Sequence, residues 1–131
     1  MKKITKPEFI KMVRKELLHL KKHTTSKEKS RLKIHTFNHE MNAQCIYGQL
    51  TTMCNNNRAK ELMPKQYGRI GLKKLQWRRD DVLIGMCPFY KQSFVKGSTF
   101  TALEKYLFMV DSNQHEQVIK YIKGDIKTII L

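Results

Sequence analysis

The chain has 131 residues, of which 40% are hydrophobic, and a formal net charge of +15. That length fits one compact domain with a core of its own, and the hydrophobic share argues against wholesale disorder. No apolar run approaches the roughly 18 residues of a membrane span, and the start MKKITKPEF lacks the apolar stretch and small-residue cleavage site of a signal peptide, so a soluble cytoplasmic protein is expected.

The first predicted element is an amphipathic helix over 6–22. Thr5-Lys-Pro-Glu8 has the spacing of a capping box, and Pro7 falls in the first turn, where a missing N–H costs little. Phe9, Val13, Leu17 and Leu20 recur at helical spacing, with Ile10 and Leu18 alongside, while Lys11, Arg14, Lys15, Lys21 and Lys22 take the remaining surface. Thr24-Thr-Ser-Lys-Glu28 is a polar break able to cap a short second helix. Arg31 to Phe37 then alternates: Leu32 and Ile34 share one parity, Arg31, Lys33 and His35 the other, which favours a strand with one cationic face over a helix continued from Ser26. Cys45-Ile-Tyr47 reads as a short strand ending at Gly48. Asn55-Asn-Asn57 offers an N-cap for a short helix Arg58–Met63, stopped by Pro64.

Residues 64–99 read as loops and strands punctuated by Gly68, Gly71, Gly85 and Gly97, with Val82-Leu-Ile84 a buried-strand candidate and Phe89–Val95 a second. Thr101-Ala-Leu-Glu104 is another capping box, opening a helix to about Met109. Asn113-Gln-His-Glu116 opens the next, with Val118, Ile119 and Ile122 on its apolar face and Gly124 as its stop. Residues 125–131 end as a strand or a docked helical turn. The expected fold class is α+β: a single compact basic domain over 1–131, with an N-terminal amphipathic helix, a small antiparallel sheet and two short C-terminal helices.

The charge is unevenly spread. Residues 1–35 carry 12 Lys or Arg against 3 acidic residues and 64–99 carry 8 against 2, whereas 36–63 and 100–131 are each neutral. Two cationic blocks on an otherwise balanced chain are the footprint of phosphate contact; acidic charge would serve solubility as well. The expected contacts are Lys11, Lys15, Lys21, Lys22, Arg31, Lys33 and His35 in the first block and Lys73, Lys74, Arg78 and Arg79 in the second. Trp77, between cations, is placed either to stack on an unpaired base or to anchor the core, and Tyr67 and Tyr90 share that ambiguity. No helix-turn-helix, RNP or KH signature is present, which turns the expectation away from a sequence-specific duplex reader.

Other chemistries fare less well. His35, His39, Cys45 and Cys54, with Cys87 further off, have the residue types of a zinc site. The spacing H-x3-H-x5-C-x8-C lacks the tight ligand pairs such a site uses, and the cysteines sit among apolar neighbours as small core residues do. Three cysteines without a CxxC do not make a disulfide framework, and free thiols in a reducing compartment are expected. His39-Glu40 and Asp80-Asp81 invite a metal-dependent nuclease, but adjacent carboxylates point to opposite faces of a strand instead of converging on one ion. No motif marks Cys45 or Cys54 as a nucleophile, and no phosphate-cradling glycine loop occurs.

The run Cys45-Ile-Tyr-Gly-Gln-Leu-Thr51, with Cys54 and Arg58-Ala-Lys-Glu-Leu62, joins Thr101-Ala-Leu-Glu-Lys-Tyr106 and Tyr121-Ile-Lys-Gly124 in a pattern over 45–62 and 101–124. It resembles small uncharacterised proteins of bacteriophages infecting Bacteroides-like bacteria. The resemblance implies no site residues. It implies a context, in which small phage proteins bind nucleic acid or block host machines, RNA-guided defence complexes among them. The leading expectation is a non-enzymatic protein, without metal or other cofactor, that binds nucleic acid, RNA or a protein–RNA complex before a DNA duplex. An anti-defence inhibitor (an anti-CRISPR, for example) docking on a host protein or nucleoprotein is second, and a small metal-dependent nuclease third.

Overall fold

The computed structural model describes residues 4–37, 44–53, 56–63, 69–71, 82–83 and 99–131. Its body is helical. Helix α1 spans Lys6–His23, α2 Ser26–Ser30, α3 Ile46–Thr51, α4 Asn57–Leu62, α5 Ala102–Met109 and α6 Ser112–Lys123, with a 3₁₀ turn at Ile34–Thr36. Extended pairing among the described residues is confined to two short antiparallel ladders. Strand β1 (Ile4–Thr5) meets β3 (Val82–Leu83), and β2 (Arg69–Gly71) meets β4 (Thr99–Thr101), with Ile70 opposite Phe100.

The α+β expectation is therefore corrected: the core is built by helices, and two ladders of two and three residues do not make the layer that class requires. The strand expected over 31–37 fails for a local reason. Arg31 N donates to Glu28 O and Leu32 N to Lys29 O, so the chain keeps turning after α2. Leu32 is buried but Ile34 is exposed, so the two do not share a face. The strand expected at Cys45–Tyr47 is the start of α3. Cys45 caps it, its Sγ accepting from Gly48 N at 3.4 Å. An apolar run of three residues does not distinguish a strand from a buried helical turn.

Packing explains why the helices hold without a sheet. Phe9, Val13, Leu17 and Leu20 form one fully buried stripe on α1. It packs against Leu103 and Leu107 of α5 and Val118 and Ile122 of α6, with Tyr47 and Leu50 of α3 and Leu62 of α4 completing the cluster. Each such side chain contributes about 1.5–3 kcal/mol when fully buried. The segment after α6 is neither strand nor helical turn. Ile129 is buried, its carbonyl accepts from Arg14 Nη1 at 3.2 Å, and Ile130 O accepts from Gln114 Nε2 at 2.7 Å. The expected strand Phe89–Val95 lies outside the described residues.

Candidate nucleic-acid interface

Helix α1 presents a largely basic face, interrupted only by Leu18, because its buried stripe Phe9, Val13, Leu17 and Leu20 turns the other way. At 100° per residue, Lys11, Lys15, Leu18 and Lys22 fall within about 60° of one another. All four are exposed. From Lys11 to Lys22 the ridge rises about 16 Å along the axis, and Lys11 to Lys15 about 6 Å. Lys11, Lys15 and Lys22 enter no ion pair or side-chain hydrogen bond among the described residues. Glu8 stands at the N-terminal end of this face. Beyond the C-terminus of α1, Lys27 on α2 is also exposed.

The remaining expected contacts are sorted by the fold. Lys21 leaves the ridge: its Nζ lies 4.5 Å from the centroid of the Tyr121 ring, tying α1 to α6 through a cation–π contact. Arg31 is half-buried and donates from Nη1 to Leu50 O at 2.9 Å, satisfying a carbonyl of α3. Lys33 is exposed, with its backbone gripped on both sides by the Gln49 amide: its N donates to Gln49 Oε1 at 2.7 Å and its O accepts from Gln49 Nε2 at 3.1 Å. His35 is exposed on the 3₁₀ turn, so the strand parity that grouped it with Arg31 and Lys33 does not apply. Lys73, Lys74, Trp77, Arg78 and Arg79 lie outside the described residues, as do Tyr67 and Tyr90. The structure thus places Lys11, Lys15 and Lys22 on one face and assigns Lys21 and Arg31 to packing.

The zinc reading gains nothing among the described residues, where no group of three or more His, Cys, Asp or Glu is placed to hold a metal. Cys45 is buried, its sulfur engaged as a cap. His39, Cys54, Cys87 and the nuclease candidates Glu40, Asp80 and Asp81 lie outside the described residues. No described helix is long and apolar enough to cross a membrane.

Three features were not anticipated from the sequence. Glu16 sits at the edge of the apolar stripe of α1, buried, with Tyr47 OH donating to its Oε2 at 2.5 Å and Leu103 N donating to its Oε1 at 2.9 Å. Burial pushes its carboxyl up to about 7, against the pull of hydrogen bonds from Thr101, Tyr47 and the Leu103 N–H; Glu104 adds to the rise. Glu28 is the opposite case. Arg58 grips it with Nε on Oε2 at 2.8 Å and Nη2 on Oε1 at 2.9 Å, holding its carboxyl down to about 2 against the opposing effect of burial. His19 and His23 pair one turn apart on α1, with ring centroids 4.4 Å apart. Desolvation, then the neighbouring His23, holds His19 below the usual histidine range. The sequence signals were present: a lone acid beside an apolar stripe, a capping Glu flanked by Lys27 and Lys29, and H-x3-H inside a strong helix. Comparison with family models, with curated proteins and with solved structures finds no match for the chain.

Proposed function

We propose that the protein binds nucleic acid without chemistry of its own, with RNA or a protein–RNA assembly as the favoured partner and the α1 ridge as the contact. The observation that carries this reading is the exposed alignment of Lys11, Lys15 and Lys22, unpaired among the described residues, within the segment of largest positive charge. Ammonium groups left without carboxylate partners along about 16 Å of helix suit a run of phosphates, whose counterions they would displace. Lys27, Lys33 and His35 are further exposed residues of the same charged block.

Fluorescence anisotropy with labelled single-stranded RNA tests the reading. Binding is expected at about 50 mM salt and should weaken steeply by about 200 mM. No binding at low salt, or affinity indifferent to salt, would overturn it. A pull-down from bacterial lysate with and without nuclease treatment reads the partner directly: a nucleic-acid partner is lost on digestion. A stoichiometric protein partner that survives digestion would replace this reading with that of an inhibitor docked on protein.

A further inference from the structure

We propose that His19 and His23 form a bidentate clasp for a divalent d-block ion that takes its ligands at right angles, of the Ni²⁺ class. The two residues are four apart on an 18-residue helix, so the backbone holds both side chains on one face. Both are exposed, their ring centroids stand 4.4 Å apart, and the planes are tilted by 38°. An ion bound about 2.0 Å from one nitrogen of each ring lies about 3.1 Å from each centroid. At a right angle between the two ligands, the centroids then fall about 4.4 Å apart, the separation already present. The spacing suits a square or octahedral ion without a change of helix geometry.

Neither ring makes a hydrogen bond among the described residues, so binding would break no contact of the fold. Neutral imidazole is the form that ligates, so binding is tested on the alkaline side of neutrality. The exposed position leaves the other coordination sites to water. Lys15 and Lys22 lie on the neighbouring face, so the charge of the ridge opposes the ion, and the site must rely on the two nitrogens. This inference is independent of the nucleic-acid reading, because it needs no polyanion.

Isothermal titration of the tag-free full chain with NiCl₂, and separately with ZnCl₂, at pH 7.5 tests it. One Ni²⁺ per chain is expected. His19→Gln and His23→Gln should each weaken binding at least tenfold, while His35→Gln, on the 3₁₀ turn, should leave it unchanged. Lowering the pH to 5.5 should weaken the binding, as protons compete with the ion for the ring nitrogens. Both substitutions lie at exposed positions, and far-UV circular dichroism should show the helical signal retained. Absence of Ni²⁺ binding, Zn²⁺ bound in preference to Ni²⁺, or binding undiminished in H19Q/H23Q, would overturn the proposal.

Discussion

Glu16 and Glu28 are both largely buried carboxyls, and their surroundings drive them in opposite directions. Glu16 lies where α1, α3 and the start of α5 meet; three donors hold it, yet none is cationic, so desolvation dominates and its pKa rises from 4.5 to about 7. Between those two values the folded chain holds a proton that the unfolded chain has released. Stability is therefore greatest below about pH 4.5 and falls as pH rises to about 7, by at most about 3 kcal/mol from this group. Glu16→Gln removes the titration while keeping an amide able to serve Tyr47 and the Leu103 N–H. Urea denaturation at pH 5 and pH 8 should show the wild type losing stability on going to pH 8 relative to E16Q; identical differences for the two proteins would refute the assignment. Glu28 has a guanidinium for a partner and a pKa depressed to about 2, so its contribution is present above about 4.5 and lost as pH falls through about 2. Arg58 also donates from Nη2 to His23 O at 2.8 Å, joining α4, α2 and the end of α1. Arg58→Met should cost about 1–3 kcal/mol at pH 7. That penalty should shrink in acid, as Glu28 takes up its proton; a penalty constant down to pH 2 would count against the pair.

The helices owe their limits to caps, and these were the elements most legible in the sequence. Thr101 and Glu104 exchange both bonds of a capping box: Glu104 N donates to Thr101 Oγ1 at 3.1 Å, and Thr101 N donates to Glu104 Oε1 at 3.0 Å. Thr25 and Glu28 do the same for α2, and Asn56 caps α4 from within the Asn55–Asn57 run. Such bonds depend on side chains two or three residues away, so short sequence windows reveal them. α6 begins two residues earlier than Asn113 suggests, because Asp111 takes the cap and accepts from Gln114 N. The strands expected at 31–37 and 45–47 give way locally, because alternation or an apolar run over so few residues also fits a turn or a helix start, and contacts distant in sequence then hold both segments in place. Gln49 holds Lys33 across 16 residues, and Tyr47 reaches Glu16 across 31. Glycine and threonine at two helix ends give a paired prediction. Gly124 closes α6 at φ 86°, and a Cβ there meets nothing within 4 Å, so Gly124→Ala should cost about 1 kcal/mol from backbone strain alone. Thr52 leaves α3 at φ 81°, where a β-branched residue is strained, so Thr52→Gly should raise the melting temperature. A lowered melting temperature for T52G would show that the threonine's own interactions outweigh the strain.

For the whole molecule, the charge that stood out in the sequence has two uses that composition does not separate. The sum of +15 and its two blocks underlie the proposed partner; which cations remain available depends on the fold. Arg14 is bound to the Ile129 carbonyl, Arg31 to the Leu50 carbonyl and Lys123 Nζ to the Leu32 carbonyl at 3.2 Å, while Lys21 lies over Tyr121. Lys11, Lys15 and Lys22 hold nothing among the described residues. This division predicts two kinds of variant with opposite signatures. Replacing Lys11, Lys15 and Lys22 together by Gln should leave thermal stability nearly unchanged, since exposed substitutions away from packed features shift it within about 0.5 kcal/mol. It should reduce the slope of log affinity against log salt for single-stranded RNA by about 0.7 per lost contact, roughly 2 in all. Arg31→Gln should instead lower the melting temperature, because the Leu50 carbonyl loses a charged donor. Its salt slope should stay close to that of the wild type. If R31Q changed the slope as much as the triple lysine variant at equal stability, the guanidinium would be a phosphate contact after all, and the division of the basic residues between fold and surface would have to be redrawn.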